Sequence, residues 1–331
     1  MKVAVIGATG LVGSKMLQVL QERQFPVSKL IPAAGEKSAG QKIHFNNVAY
    51  PVITCREALL QRPDIALFSA GAEVSRQWAP QFAENGCYVI DNSSAWRMEK
   101  DIPLIVPEIN ASILQKRHRL IANPNCSTIQ LVMAAGPLHN RFGIKRMIIS
   151  TYQSVTGTGI KGIRQLDDEE NGVSGAKAYP HQIYRNCLPH CDVFLDNGYT
   201  REEMKLVNET HKILGDNSIA ITATAVRVPV TGGHSESVWL EFERDFRIEE
   251  VYETLSGKEG VVILDNPAEN LYPVPLYAER RNEVFVGRIR RDLFDPRSLN
   301  LWIVADNLRK GAATNAVQIA EHIVLNSFRA P

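Results

Sequence analysis

The chain has 331 residues, and its 37 Lys and Arg nearly balance its 36 Asp and Glu, so the formal net charge is +1. At about 150 residues per domain, this length predicts two domains. A near-neutral chain without a basic block argues against nucleic acid or a membrane as partner. No stretch approaches the ~18 apolar residues of a membrane span, and the first residues lack a signal-peptide pattern. We therefore expect a cytoplasmic protein that acts on small molecules.

The first third of the chain alternates short apolar runs with helical patterns. Helices are predicted at 11–23, from the spacing of apolar residues, and at 74–86, where Gly86 ends the pattern. Repeated strand–helix units predict an α/β fold with a doubly wound parallel sheet of the Rossmann type. The predicted strands lie at 2–7, 29–34, 64–71, 88–94 and 104–109.

The character of the chain changes after about residue 127, where apolar runs become longer and richer in β-branched residues. Runs at 146–155, 219–230 and 237–243 predict a large, mixed sheet in a second, α+β domain. The segment 160–215 is polar and irregular, which predicts helices and surface excursions.

The domain boundary is predicted to be discontinuous. Residues 310–326 have helical spacing, and we expect this helix to return and pack on the first domain. The first domain would then comprise 1–126 plus about 310–331, and the second domain 127–309.

Three glycines, Gly7, Gly10 and Gly13, separate the first predicted strand from the first predicted helix. Glycines at this spacing let backbone N–H groups approach a pyrophosphate at the helix N-terminus. A tight turn between a strand and a helix also needs glycine. The strand–turn–helix context favours nucleotide binding.

The residues after the second predicted strand bear on the choice of cofactor. An acid that holds the ribose hydroxyls of NAD is expected about 20 residues after the glycine loop. Here the strand ends on small residues, followed by Glu36, Lys37 and Ser38. Lys37 and Ser38 favour the 2′-phosphate of NADP, whereas Glu36 keeps NAD open as the alternative.

Among the five cysteines, Cys126 stands apart because it directly precedes a helical pattern. A helix N-terminus stabilises a thiolate, so Cys126 is a candidate nucleophile, the alternative being a small residue at a turn. Such a thiol needs a base. His234 lies between glycines and a strand-like run, and we expect it on a flexible turn.

Two other clusters do not match the metal sites that they suggest. The segment CLPHC at 187–191 lacks the second ligand pair of a zinc site. His234 and Glu236 have the spacing of a zinc deaminase motif, but its later cysteine pair is absent. We therefore expect no metal.

Five segments, in chain order, match motifs of one known family. They are GATGLVG from Gly7, NPNCSTIQ around Cys126, YQSVTGTG around Gln153, RVPVTGGHS from Arg227 to Ser235, and DNLRKGAATNAVQIAE near the end. Together they resemble aspartate-semialdehyde dehydrogenases over nearly the whole chain. NPNCSTIQ is the specific element, because many dinucleotide enzymes share the glycine loop.

The resemblance implies the reversible, NADP-dependent conversion of 4-phospho-L-aspartate to L-aspartate 4-semialdehyde and phosphate, in the biosynthesis of lysine, methionine, threonine and isoleucine. It also implies a homodimer, formed through a second domain that binds the substrate, and a dinucleotide-binding first domain. Cys126 would be the nucleophile that forms a thioester, His234 the acid/base and Gln153 an orienting amide.

The resemblance extends to the residues that hold substrate, phosphate and cofactor. The implied substrate-binding residues are Arg227 for the carboxylate, Glu202 for the amine, and Asn125, with Arg97 and Lys205 for phosphate. The implied NADP-binding residues are Gly7, Thr9, Gly10, Leu11, Val12, Lys37, Ser38, Ser69, Ala70, Gly71, Thr156, Gly157 and Asn307. Lys37 stands where the family has arginine, and Thr156 where serine is commoner.

Two alternatives remain open. An N-acetyl-glutamyl-phosphate reductase would share the glycine loop and a cysteine–histidine pair. A catalytically silent dinucleotide-binding module is expected to lack the nucleophile, whereas this chain retains Cys126 together with Gln153, Arg227 and His234.

Overall fold

The computed structural model describes residues 1–327, so residues 328–331 of the predicted first domain lie outside the described residues. The chain divides into two compact units. The first contains Met1–Asn125 and the described residues from Ala312 onward, and the second contains Cys126–Gly311. No helix in the described part of the chain combines the length and apolar character that a membrane crossing needs.

The first unit is built on a five-stranded sheet in which every pair of neighbours is parallel. The strands of the unit are β1 (Lys2–Ile6), β2 (Lys29–Ala33), β3 (Lys42–Phe45), β4 (Val48–Pro51), β5 (Ile65–Phe68), β6 (Tyr88–Asp91) and β7 (Leu120–Ala122). The order in the sheet is β2-β1-β5-β6-β7, and β3 and β4 form a separate hairpin. The helices are α1 (Leu11–Glu22), α2 (Cys55–Leu60), α3 (Ala72–Glu84), α4 (Pro107–Asn110) and the C-terminal helix (Thr314–Ser327).

Both faces of this sheet are covered, as the residues of β1 show. Val3 and Val5 point to one face, where they join a core with residues of α1 and the C-terminal helix. Ala4 and Ile6 point to the other face and join a core with residues of α2 and α3. Strands buried on both faces read as continuous apolar runs, which explains why the sequence pattern identified them.

The C-terminal helix belongs to the first unit, as predicted, although it begins at Thr314 rather than at residue 310 and the first unit resumes at Ala312. Asn315 is fully buried, and its Nδ2 donates hydrogen bonds to Asn123 Oδ1 at 2.7 Å and to the carbonyl oxygen of Ile105 at 2.9 Å. Arg23, the residue after α1, forms an ion pair with Glu321 at 2.7 Å. The helix is therefore a component of this unit rather than an appendage.

The strand predicted at 104–109 is wrong. Leu104 makes a single bridge to Ala122, and Pro107 then begins α4. Proline cannot donate a ladder hydrogen bond and suits the first turn of a helix, so the apolar run is broken there. The fifth strand is the short β7, which the pattern did not predict. The other predicted strands and helices of this unit are present, with small shifts at their ends.

The second unit contains a six-stranded mixed sheet in the order β11-β12-β13-β10-β8-β9. Its strands are β8 (Ile144–Gln153), β9 (Ala220–Arg227), β10 (His234–Phe242), β11 (Val261–Ile263), β12 (Val284–Arg291) and β13 (Ser298–Ala305). Its helices are α5 (Cys126–Phe142), α6 (Ile160–Glu170), α7 (Arg201–Leu214), α8 (Ile248–Ser256) and α9 (Pro275–Ala278). The pairs β8–β9 and β11–β12 are parallel and the other three are antiparallel, as predicted for a mixed sheet.

Candidate active site

The glycine turn of the first unit lies between the end of β1 and the start of α1. Gly7 has a φ of 88°, and a Cβ on it would overlap the carbonyl oxygen of Ser69. A Cβ on Gly13 would overlap the carbonyl oxygen of Gly7. Gly10 is the N-cap of α1, and no side chain caps this helix. Packing therefore requires the glycines, and the uncapped N-terminus of α1 suits an anion.

Two other segments reach the same edge of the sheet, because β2 and β5 run parallel to β1 on either side of it. After β2, the exposed Lys37 and the half-buried Ser38 lie in a short 3₁₀ helix, and Ser38 Oγ is 3.5 Å from Thr9 Oγ1. After β5, Ser69 lies against the glycine turn. The predicted cofactor residues at this edge are Gly7, Thr9, Gly10, Leu11, Val12, Lys37, Ser38, Ser69, Ala70 and Gly71.

Arg97 follows β6 in the same unit and is buried. Its Nη2 donates a hydrogen bond to the carbonyl oxygen of Asn92 at 2.9 Å. Burial raises the pKa of Asp91, the last residue of β6, although hydrogen bonds from serine side chains and the charge of Arg97 offset part of this effect. Asn125, the last residue before the second unit, is also buried.

Cys126 opens the second unit as the first residue of α5 and is half-buried. Its neighbour Ser127 accepts a hydrogen bond at 3.1 Å from Nε2 of Gln153, the last residue of β8. The same Nε2 lies 3.1 Å from Glu202 Oε1 and 3.3 Å from Thr151 Oγ1. These acceptors fix the Gln153 amide beside the start of α5, where the helix N-terminus favours a thiolate.

Arg227 is the last residue of β9 and pairs in register with Gln153. Its Nη1 donates a hydrogen bond to the carbonyl oxygen of Ser154 at 2.6 Å, and the Tyr179 ring centre lies 5.9 Å from its guanidinium carbon. Its Nε is buried and has no hydrogen-bond partner within residues 1–327. This edge of the guanidinium therefore remains available to a ligand carboxylate.

His234 is fully buried, and its two ring nitrogens have different surroundings. Nδ1 accepts a hydrogen bond from the backbone N–H of Ser154 at 3.1 Å, whereas Nε2 has no partner among the described residues. Burial, with the nearby charge of Arg227, lowers the pKa of His234 to about 3. The imidazole is therefore neutral near pH 7. Because Nδ1 is an acceptor, the proton of the neutral ring lies on Nε2.

The expectation that His234 lies on a flexible turn is wrong. His234 is the first residue of β10 and pairs with Ala305 of β13. The preceding Gly233 packs so closely on this strand that a Cβ on it would lie 2.6 Å from the carbonyl oxygen of Ala305. The glycines before His234 thus serve close packing, and the sheet holds the imidazole in place.

Glu202 and Lys205 lie near the start of α7, at the spacing that predicted a shared helical face. Lys205 Nζ lies 2.9 Å from Glu202 Oε2 and 2.9 Å from Asp192 Oδ2. Burial lowers the pKa of Lys205, but the two carboxylates raise it by more, so the net change is upward. Lys205 is therefore a cation held between two carboxylates.

Two glycines allow the backbone to approach the side chains of this site closely. A Cβ on Gly157 would lie 2.8 Å from Arg227 Nη1 and 3.1 Å from His234 Nε2, and a Cβ on Gly311 would lie 2.9 Å from Cys126 Cβ. Thr156 Oγ1 donates a hydrogen bond to Asn307 Oδ1 at 2.9 Å. The predicted residues that the second unit brings together are Cys126, Gln153, Thr156, Gly157, Glu202, Lys205, Arg227, His234 and Asn307.

Sequence reasoning missed the residues that surround Arg227 from the irregular segment. Leu188 exchanges two backbone hydrogen bonds with Arg227, at 2.9 and 2.7 Å. The Cys191 sulfur accepts a hydrogen bond from Arg227, and burial raises the pKa of this thiol to about 11. The CLPHC cluster was the only sequence signal here, because the segment has no periodic pattern.

Comparison with known proteins identifies the family. A family model described as semialdehyde dehydrogenase, NAD binding domain, matches residues 2–117, and one described as semialdehyde dehydrogenase, dimerisation domain, matches residues 135–310. The aspartate-semialdehyde dehydrogenase of Aquifex aeolicus is 51% identical over 98% of each chain. The chain belongs to the aspartate-semialdehyde dehydrogenase family.

Solved structures of this family agree with the fold. Aspartate semialdehyde dehydrogenase II from Vibrio cholerae superposes with a TM-score of 0.95 at 45% identity, over 99% of each chain. The same Vibrio enzyme has also been solved in complex with ASA. The Candida albicans enzyme with NADP has a TM-score of 0.76 at 26% identity, over 97% of this chain and 98% of that chain. The α/β architecture with a Rossmann-type first unit and a mixed sheet in the second is therefore that of the family.

Proposed function

We propose that the chain catalyses the reversible NADP-dependent reductive dephosphorylation of 4-phospho-L-aspartate to L-aspartate 4-semialdehyde. The observation that carries this proposal is the cluster of the second unit. In it a cysteine at a helix N-terminus lies beside an anchored glutamine, while an arginine and a buried histidine lie so close to one glycine that a Cβ there would touch both. Family membership and the names of the relatives support the same reaction.

Charged and amide side chains bind the carboxylate, amine and phosphate groups of the substrate. The Nε edge of Arg227 binds the α-carboxylate, because a guanidinium binds a carboxylate through two parallel hydrogen bonds. Glu202 binds the α-amine, and Asn125 also contacts the substrate. Arg97 and Lys205 bind the phosphate. Lys205 remains a cation in its carboxylate pair, which supports a role toward an anionic group.

The Cys126 thiolate attacks C4 of the acyl phosphate, so that the Sγ–C4 bond forms, the C4–O bond breaks and phosphate leaves with the bonding pair. Reduction of the resulting thioester at C4 requires a hydride, which is the chemistry that bound NADPH would supply. Hydride addition leaves a thiohemiacetal anion on Cys126, with its negative charge on the oxygen bound to C4. Its C4–Sγ bond breaks, the aldehyde leaves and the thiolate is restored.

His234 acts on the oxygen bound to C4. In each tetrahedral species, negative charge develops on the oxygen bound to C4, and the Nε2–H of His234 donates a hydrogen bond to this oxygen. The hydrogen bond stabilises the oxygen until the tetrahedral species collapses and the charge is lost. Gln153 orients the reacting group through an amide that three acceptors hold in place.

Three features of the first unit support NADP as the cofactor. The uncapped N-terminus of α1 suits the pyrophosphate, and Lys37 with Ser38 suits the 2′-phosphate. β2 ends at Ala33 without the acid that would repel this phosphate, and the exposed Glu36 is the alternative ribose ligand of an NAD enzyme. Thr156, Gly157 and Asn307 contribute nicotinamide contacts. We further propose a homodimer through the second unit, which the dimerisation-domain model supports.

The reaction is tested by phosphate-dependent reduction of NADP with L-aspartate 4-semialdehyde. Cys126→Ala is expected to lower kcat by at least about a thousandfold, because it removes a covalent nucleophile. Cys187→Ala, at an exposed thiol, is the matched control and should retain activity. A loss below about tenfold for Cys126→Ala would contradict the proposal. Faster turnover of N-acetyl-glutamate semialdehyde would instead indicate the related reductase.

The cofactor is tested by the ratio of kcat/KM for NADP to that for NAD. We expect a preference for NADP that Lys37→Ala lowers by about tenfold, since a phosphate contact is lost. A ratio near one in the unaltered protein would indicate that Glu36 binds the ribose hydroxyls of NAD and would show that the assignment of NADP is wrong.

A further inference from the structure

Glu236 and Gln130 are buried polar side chains that the proposed reaction does not use. Both residues are 0% exposed. Glu236 lies on β10 two residues after His234, and Gln130 lies on α5 four residues after Cys126. Side chains two apart on a strand, or four apart on a helix, share a face. Glu236 therefore lies on the His234 face of β10, and Gln130 on the Cys126 face of α5.

Four polar atoms of this pair have no hydrogen-bond partner among the described residues. They are both carboxyl oxygens of Glu236 and both Oε1 and Nε2 of Gln130. Burial raises the pKa of Glu236 well above its ordinary value, and the neighbouring Gln130 amide offsets only part of this effect. Four unpartnered atoms on two adjacent groups are expected to satisfy one another, because buried polar groups otherwise destabilise the fold.

The chemistry of the two groups allows complete pairing in only one protonation state. A neutral carboxylic acid donates its O–H to Gln130 Oε1 and accepts from Gln130 Nε2 through its other oxygen. A carboxylate could accept a hydrogen bond from Gln130 Nε2, but its other oxygen would lie against Gln130 Oε1, and two acceptors cannot form a hydrogen bond. The residues opposite Glu236 in the sheet, Thr151 on β8 and Ile303 on β13, provide no charge to stabilise an anion.

We propose that Glu236 is a neutral carboxylic acid joined to Gln130 by two hydrogen bonds, and that this pair positions His234 and Cys126 relative to each other. The pair connects β10 directly to the first turns of α5, so it sets the distance between the imidazole and the thiol. The other titratable or charged groups on the two elements are His234 and Glu241 on β10, and Cys126, His139 and Arg141 on α5; Glu241, His139 and Arg141 lie at the far ends of these elements from the pair. The positioning role rests on the proposed function, whereas the protonation state does not.

The protonation state is tested by thermal stability as a function of pH, with Glu236→Gln as the comparison. A pKa raised in the folded state contributes stability at low pH that is lost as pH rises. The amide of E236Q cannot ionise. We therefore expect the Tm of E236Q relative to the unaltered protein to increase steadily from about pH 4 to about pH 8. A difference in Tm that does not change with pH would overturn the neutral acid.

The positioning role is tested by a double-mutant cycle. Glu236→Leu and Gln130→Leu are each expected to lower kcat about 10- to 100-fold with KM nearly unchanged, because displaced reacting groups slow the chemical step. The double variant should be no slower than either single variant, since both remove the same pair. Additive losses, or an unchanged kcat in the single variants, would overturn the role.

Two further variants guard against a general folding defect. The swapped variant E236Q/Q130E restores an acid–amide pair and is expected to retain kcat within about threefold. Thr210→Val, which removes a buried and unpartnered hydroxyl on α7, is the control for loss of polarity alone and should leave kcat unchanged. The alkylation rate of Cys126 against pH is followed in each variant. A shifted thiol pKa in the leucine variants and not in T210V supports positioning, even if the substrate assignment fails.

Discussion

Burial, more than sequence position, gives His234 its chemical character. A histidine on an exposed turn would titrate near its ordinary pKa, but burial and Arg227 lower the pKa of His234 to about 3. The Ser154 N–H then fixes the tautomer, which leaves Nε2 with the proton. The residue is suited to donate a hydrogen bond at neutral pH rather than to carry a positive charge.

His234 should also make the fold sensitive to acid. Because its pKa is lower in the folded state, the unfolded chain binds more protons between about pH 6.5 and pH 3, and stability is lost as pH falls through this window. We expect the Tm of the unaltered protein to drop more between pH 7 and pH 4 than that of His234→Gln. The control is His44→Gln at an exposed position of β3. Parallel acid profiles for H234Q and the unaltered protein would contradict this account.

Arg227 is predicted to require its planar guanidinium. Its Nη1 is occupied by the carbonyl oxygen of Ser154, so a second, parallel edge must bind the ligand, and lysine has no such edge. We expect Arg227→Lys to lower kcat/KM for the semialdehyde about 100-fold, mainly through KM, which corresponds to the loss of one charge-assisted pair. Arg201→Lys, at an exposed residue of α7, is the matched control. An unchanged KM in R227K would refute the carboxylate assignment.

Sequence motifs identified Cys126, Gln153, Arg227 and His234 by type and order, but they could not reveal the surroundings of these residues. The contacts of Arg227 with Tyr179 and Cys191 come from an irregular segment without periodicity. Such contacts depend on tertiary packing, which a local sequence pattern does not predict.

Helix α7 shows how an element places site residues. Thr200 caps it by accepting from the backbone N–H of Glu203, while the Glu203 side chain accepts from the backbone N–H of Thr200. This capping box fixes the first turn, from which Glu202 and Lys205 project. Helix α2 begins with an equivalent capping box formed by Thr54, and none of the proposed site residues lies on it.

The two capping boxes provide a matched pair of variants. Thr200→Ala and Thr54→Ala are each expected to lower the free energy of unfolding by about 1 kcal/mol, because each loses one N-cap hydrogen bond. Only Thr200→Ala should also raise KM for the semialdehyde, by severalfold, since it loosens the turn that carries Glu202. Equal kinetic effects in the two variants would show that α7 does not position the substrate. Chemical denaturation and steady-state kinetics measure the two quantities.

Most buried parallel strands of the first unit could be predicted from the sequence, because a short continuous apolar run is typical of a strand that is covered on both faces. It failed at 104–109, where Pro107 converts the end of the run into α4, and it missed β7, which has only three residues. It also gave no prediction for β12 and β13. The two strands are antiparallel neighbours that follow one another in the chain, but Gly287 and the arginines after it interrupt the apolar run of β12, so its local signal is weak.

The whole molecule combines near-zero net charge with locally concentrated charge. The formal total of +1 conceals a partly buried network in the second unit. Lys205 lies between the exposed Asp192 and the buried Glu202, and Gln153 bonds to Glu202 and pairs in register with the buried Arg227. The composition argued against nucleic acid and membranes as partners, but it could not predict this network, because the net charge does not depend on where the charged residues lie.

The topology of the first unit makes a prediction about fragments of the chain. The C-terminal helix supplies Ala316, Val317 and Ile323 to the core that contains Val3 and Val5, and its Asn315 satisfies buried acceptors of the same unit. Residues 1–125 alone would expose this core and leave those acceptors unpaired, which is costly for a domain of this size.

We therefore expect residues 1–125 to aggregate or to unfold without cooperativity, whereas 1–125 joined by a flexible linker to 312–331 should unfold in one cooperative transition. The contiguous fragment 126–311 serves as the comparison, because its sheet and α5 lie within one stretch of chain. Circular dichroism against denaturant distinguishes the outcomes. Cooperative unfolding of 1–125 alone would show that the returning helix is dispensable. Failure of the linked fragment to fold would show that the first unit depends on more than its own residues.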